Sequence, residues 1–302
     1  MTVMSQHHET GMEAADAFEA HRRFLRSLAY RMLGSLAEAE DAVQDCYLRW
    51  HQADRGAVTN VRAFLAKTVT RLCIDRLKSA RARRETYVGP WLPEPVLEAE
   101  TLSADSASEY AEDLSMGLML ALERLSPLER AAFLLHDIFD VDFAEVGKLI
   151  GRNETACRQL AARARAHVRD ARPRFPVAAE AGAGIAAAFA TALLSGDVSA
   201  LAGLLAKDAT LHSDGGGIKK AALNILVGRD KVAKFFGGVM RKFPEPIGEM
   251  QFRPINGMPG LLMRFEDGSL QTIALEIADG EIAAVYVVRN PEKLSHLAAQ
   301  MH

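Results

Sequence analysis

Ser126-Pro127-Leu128-Glu129 opens the stretch SPLERAAFLLHDIFDVDFAEVGKLIGRNETACRQLAARARAHVR (126–169), whose reading decides the fold. Serine followed three residues later by glutamate is a capping box, and proline sits at the first helical position, where its missing N–H costs nothing. The helix it starts offers Ala131, Phe133, Leu134 and Ile138 to a core. A short helix over 143–150 follows, then a turn at Gly151-Arg152-Asn153, then a helix from Glu154 to Arg169. Helical spacing turns Val146, Leu149 and Ile150 toward Cys157, Leu160 and Ala164. The opposite face of the last helix carries Thr155, Arg158, Gln159, Ala162 and Arg163. Two helices on a tight glycine turn form a helix-turn-helix, and the arginine-rich outer face points to DNA.

Upstream, residues 14–86 read as a helical domain. Phe18, Leu25, Leu28 and Met32 recur at helical spacing, as do Ala39, Val43, Tyr47 and Trp50, then Val61, Phe64 or Leu65, Thr68 and Leu72. Gly34-Ser35 separates the first stripe from the second, and the polar segment 51–60 separates the second from the third. Between the helical domains, residues 87–113 break the pattern. Gly89-Pro90, Pro93 and Pro95 forbid continuous helix, and the acids beyond them favour an extended tether. Trp91 and Leu92 are apolar within it, so at least one is expected to dock on a folded surface.

Residues 177–302 change character. Helices over 178–195 and 198–206 precede a short strand over 209–213 and the run Asp214-Gly215-Gly216-Gly217. An amphipathic helix over 229–243 and strands over 247–255, 261–266, 270–277 and 282–288 complete the domain. Asp267-Gly268 and Asp279-Gly280 are hairpin signals, and the tail 292–300 reads as helix. Helices followed by an antiparallel sheet make an α+β domain.

The net charge of −3 hides segregation. Residues 71–84 carry +5 and residues 148–174 carry +6, whereas 94–113 holds seven acids and no base. Two basic patches separated by an acidic segment suggest two contacts with a polyanion. Three isolated cysteines (Cys46, Cys73, Cys157) form neither a disulfide framework nor a metal motif, and no cofactor is expected. The longest apolar run, 181–194, is too short to span a bilayer, and no export signal opens the chain, so a cytoplasmic location is expected.

These segments together resemble a sigma-70-type initiation factor of the extracytoplasmic-function (ECF) class, in the group with a C-terminal SnoaL-like domain. The resemblance is carried by Leu28-Ala29-Tyr30-Arg31-Met32-Leu33-Gly34-Ser35, residues 39–45, Asp75-Arg76-Leu77-Lys78 with Arg83-Arg84, and Leu125 to Arg130 through Arg163-Ala164-Arg165. Its most specific pieces are Trp91-Leu92-Pro93-Glu94-Pro95, Asp214 to Gly217, and Asn290-Pro291-Glu292-Lys293-Leu294. It implies two all-α domains followed by an α+β cone.

The resemblance also implies roles. Glu38, Asp41, Gln44 and Asp45 would dock on core RNA polymerase, an acidic face suiting a basic coiled coil. Arg76, Lys78, Arg81, Arg83 and Arg84 would face the promoter −10 element, with residues 51–60 capturing an unstacked base. Thr155, Arg158 and Gln159 would reach −35 base edges, and Arg163 and Arg165 its phosphates. The acidic linker would lie where nascent RNA later passes. In this group the fused domain modulates activity in cis, so no obligate separate anti-sigma factor is expected. Trp91, Leu92 and Pro93 would meet Asp214, Gly215, Gly216 and Gly217, and the C-terminal domain would set the separation of the two DNA-binding domains. Two other readings compete: a helix-turn-helix regulator whose C-terminal pocket holds a small ligand, and a SnoaL-type cyclase or isomerase using His212 and Asp214. The glycines favour a loop pressed against another backbone over catalysis.

Overall fold

The computed structural model describes residues 2–97, 102, 114–169, 179–242 and 245–301. They gather into two compact units. One comprises residues up to Ala82, Leu102 and 121–169; the other comprises Arg83 to Leu97, 114–120 and residues from 179 onward.

In the first unit, α1 (Thr2–Leu33) turns through Gly34, in the left-handed region at φ 70°, into α2 (Leu36–Gln52). Ser35 caps α2 by accepting from the Glu38 N–H. After a 3-10 turn at Arg55–Ala57, α3 (Val61–Glu85) lays Leu65, Val69, Leu72 and Cys73 into the core with Leu25, Leu28, Met32 and Val43. Trp50 is buried, tilted against Phe64. From α4 (Met116–Glu123) the chain enters α5 (Pro127–Phe133), whose capping box is complete: Ser126 accepts from Glu129 N–H, and Glu129 accepts from Ser126 N–H. A π-helical turn, Leu134–Ile138, extends α5. Then α6 (Phe143–Ile150), left-handed Gly151 at φ 70°, and α7 (Glu154–Arg169) form the helix-turn-helix. Gly147 is obligatory at the turn, because a Cβ there would lie 2.5 Å from the Arg152 carbonyl oxygen.

The second unit is layered. Helices α8 (Ala179–Ser195), α9 (Val198–Leu204) and α10 (Arg229–Lys242) cover one face of a six-stranded sheet. The strands are β1 (Leu205–Asp214), β2 (Leu226–Val227), β3 (Ile247–Phe252), β4 (Gly260–Phe265), β5 (Leu270–Ala278) and β6 (Glu281–Val288), in the order β2-β1-β6-β5-β4-β3. Period-two alternation sorts the side chains. Leu261, Met263, Val285 and Val287 face the helices, whereas Leu262, Ala274, Tyr286 and Val288 face away. That second face is covered by Leu92, Leu97 and Met116 and by Leu294, Leu297 and Met301 of the tail.

Three expectations are corrected. β1 begins at Leu205, taking the end of the expected helix, and it pairs with β6 in parallel, so the sheet is mixed. The parallel pair follows from the crossover through α10 and the β3–β5 meander, since a hairpin cannot join parallel strands. Residues 92–97 are buried, and Leu92 and Leu97 cover apolar side chains of the sheet's second face. The tail is one α-turn, α11 (Pro291–Leu294), continued as a 3-10 turn at Ser295–Gln300. No described helix is long and apolar enough to cross a membrane.

Candidate functional site

The acidic side chains of α2 share one face, on which Asp41 and Gln44 are exposed and Glu38 and Asp45 half-buried. Arg76 of α3 closes against this face, 2.7 Å from Asp45 and 3.7 Å from Asp41. Of the residues assigned to the −10 element, Arg76 is therefore held by α2, and Lys78 is exposed beside Asp75 at 2.9 Å. Arg81, Arg83 and Arg84 lie at the end of α3, outside the described side chains. Most of the acidic segment 94–113 also lies outside the described residues; Glu94 is buried.

On α7, Asn153 caps the helix by accepting from Ala156 N–H at 2.8 Å. Thr155, Arg158, Gln159 and Arg163 are exposed along its outer face. Arg158 pairs with Glu154 and lies over the Phe143 ring at 4.8 Å, and Arg163 is 2.9 Å from Glu129. Arg165, its side chain 38% exposed, lies 2.5 Å from Asp137 of the π-helical turn. Arg152, in the turn, is exposed and extends this surface.

Two buried arginines tie the helical regions together. Arg130 of α5 donates to the Met32 carbonyl at 2.6 Å and pairs with Glu123 at 2.7 Å. Arg31 of α1 donates to the Leu102 carbonyl at 2.5 Å and sits over the ring of Phe139, which meets Phe24 edge-on. A cleft is thereby lined by Arg71, Ile74 and Lys78 on one side and Pro127, Leu128 and Arg152 on the other.

In the second unit the polar centre is Asp214, at the end of β1 and fully buried. Its Oδ1 accepts from the Tyr87 hydroxyl at 2.6 Å and Gly216 N–H at 3.0 Å; its Oδ2 accepts from Leu92 N–H at 2.9 Å and Lys293 Nζ at 2.7 Å. Lys293 Nζ also donates to the Leu92 carbonyl and lies 4.1 Å over the Trp91 ring. Burial, then the hydrogen bond and charge of Asp214, push the Tyr87 phenol above its ordinary pKa, keeping it a donor. The glycines make room. A Cβ on Gly215 would lie 2.0 Å from the Lys219 carbonyl oxygen, and one on Gly216 would meet Asn290 Nδ2 at 2.4 Å. Asn290 Nδ2 itself donates to the Tyr87 hydroxyl at 2.9 Å. The structure thus brings Trp91, Leu92, Asp214 and Gly216 to one centre, with Gly217 beside Val88. A second tie is Asn256, buried and left-handed at φ 52°. It exchanges backbone and side-chain bonds with Val96 (2.7 and 2.9 Å) and donates to the Leu114 carbonyl at 3.0 Å. Both ends of segment 97–113 are thus fixed to one side chain. Sequence reasoning missed Tyr87, Asn256 and the role of Lys293; the membership of Lys293 in the Asn290–Leu294 motif was a signal without a role attached.

His212 and Asp214 lie on the sheet face away from the helices, His212 against Tyr286. Ser213, between them, faces the opposite way into an apolar cavity among Leu193, Phe236, Met263 and Val287. Four donors converge on the Asp214 carboxylate.

Comparison with known proteins agrees with this arrangement. Residues 17–83 match the family model for Sigma-70 region 2, and 115–168 that for Sigma-70 region 4. The chain is 38% identical to the ECF RNA polymerase sigma factor SigJ of Mycobacterium tuberculosis, over 94% of each chain. It is 31% identical to the sigma factor SigI of the same organism over 99% of each. It superposes on the crystal structure of SigJ with a TM-score of 0.72 at 34% identity, covering 93% of this chain and 98% of that one. The chain belongs to the ECF RNA polymerase sigma factors, with two helical sigma regions followed by an α+β domain.

Proposed function

We propose that this sigma factor is restrained in cis by its C-terminal domain, acting in the cytoplasm, through the linker clamp on Asp214, Lys293 and Asn256. The reading rests on reach. The −10 and −35 elements lie about 25 base pairs apart, roughly 85 Å at about 3.4 Å each. In the first unit Arg71 and Lys78 of α3 line one cleft with Arg152 of the helix-turn-helix, too close together for one duplex to meet both elements at that spacing. The regions must part. Extended at about 3.3 Å per residue, a free linker from Ala82 to Leu114 would reach roughly 105 Å; with Val96 and Leu114 both tied to Asn256, only 83–96 remains, about 45 Å. Release of the clamp therefore accompanies productive binding. Because the restraint is intramolecular, even a weak clamp is well populated, and no separate anti-sigma factor is obligatory.

Within this reading, Asp41, Gln44 and Glu38 contact core polymerase, with Asp45 held in register by Arg76. Lys78, Arg81, Arg83 and Arg84 grip the −10 strand, and Thr155, Gln159, Arg158 and Arg163 serve the −35 element. The C-terminal domain works without catalysis, since Asp214 is saturated with donors and faces away from the cavity. The single observation that carries the proposal is the Lys293–Asp214–Leu92 centre. Runoff transcription at limiting core polymerase tests it: Asn256→Ala should raise initiation several-fold, and an unchanged or lower yield removes the restraint from the account.

A further inference from the structure

The cavity under the helical face of the sheet is about 170 Å³. A cavity of about 150 Å³ suffices for benzene, so this one suits a single ring or a short chain. Its walls are apolar: Phe236, Val239, Met240, Met263 and Phe265. Two cationic residues line it, Lys220 and Arg289. Arg289 is 8% exposed, and its Nε has no hydrogen-bond partner among the described residues. Its other guanidinium nitrogens reach the Lys220 carbonyl at 3.1 Å and the Glu245 carboxylate. The guanidinium stands over the Phe265 ring at 5.7 Å. Glu245 is the group that could yield: it lines the same cavity, and its side chain is 38% exposed, so water can receive it.

We infer that this cavity binds a small aromatic or short-chain carboxylic acid, its apolar body among Phe236 and Met263 and its carboxylate on Arg289 in place of Glu245. The planar guanidinium fork matches a carboxylate with two parallel hydrogen bonds, and an acid satisfies the unpartnered Nε that apolar walls cannot. A neutral ring would leave the Arg289–Glu245 pair intact and gain only its apolar contacts. The inference is independent of the clamp, since binding is read on the chain alone.

Calorimetry on the full chain with benzoate, hexanoate, benzamide and acetate tests it. For a ligand of about nine heavy atoms, a Kd between roughly 0.1 and 1 mM is expected. Benzoate or hexanoate should bind at least tenfold more tightly than benzamide and acetate. Glu245→Gln, at a half-exposed site that leaves the fold undisturbed, should tighten the acid several-fold by removing its competitor, and Arg289→Lys should weaken it. Benzamide binding as well as benzoate, no acid binding at about 10 mM, or Glu245→Gln leaving affinity unchanged would each overturn the proposal.

Discussion

Replacing Lys293 with methionine tests the clamp at its centre. The side chain keeps most of its volume and loses the ammonium that lies 2.7 Å from Asp214, bonds the Leu92 carbonyl and stacks on Trp91. Removing one member of a buried ion pair costs about 3–5 kcal/mol, because the other charge stays buried without its counterion. Asp214 retains three donors, from Tyr87, Leu92 and Gly216, which places the loss near the lower bound, about 3 kcal/mol. At about 1.4 kcal/mol per decade, the linker should open roughly a hundredfold more often. Hydrogen exchange reads this directly. The Leu92 amide donates to Asp214 and the Val96 amide to Asn256, so both are protected only while the linker is docked. In Lys293→Met, exchange over 87–97 should accelerate by about two decades while the β5 and β6 amides stay protected. A change under about threefold would mean that the ion pair does not hold the linker. Equal acceleration of β5 and β6 would mean that it supports the whole sheet instead.

Other consequences follow from the helical unit. Gln159→Ala should relax base preference at one −35 position by about 1–3 kcal/mol, measured with a panel of promoter variants. Arg152→Ala should weaken all promoters alike and reduce the salt dependence of binding by about one ion, which titration against potassium chloride checks. Asp41→Lys, at a side chain 67% exposed, should lower affinity for core polymerase without altering the thermal unfolding temperature. Burial pushes the Cys46 thiol up to about 12 from 9.0. The unfolded chain therefore releases that proton first, so stability is full below pH 9 and falls as pH rises toward 12; denaturant midpoints of Cys46→Val should show a shallower decline.

Local chemistry was legible in the sequence where it is fixed by near neighbours. The Ser126–Glu129 box, the left-handed Gly151 and the Asp279-Gly280 hairpin each depend on residues within one turn, and their geometry matches that reading. The apolar alternation of β4 to β6 likewise located the strands within a few residues. What escaped depends on partners far along the chain. Nothing near Asn256 announces that it will bond both Val96 and Leu114, and nothing near Lys293 announces Asp214. The buried stretch 92–97 reads as a tether because its prolines forbid helix, yet it covers a sheet face whose apolar residues the alternation had already exposed on both sides. Arg76 sits in a basic window, and nothing in that window announces its ion pair with Asp45 of α2. β1 joined the sheet in parallel because a crossover, invisible to any local window, brought it beside β6.

Under the proposed restraint, core polymerase binds a chain whose linker must first come free. The apparent affinity is then reduced by the fraction of molecules already open. Equilibrium binding of core polymerase to the full chain and to Lys293→Met measures this. The variant should bind at least tenfold more tightly. Equal or weaker binding by a variant whose linker exchange has accelerated would contradict the restraint.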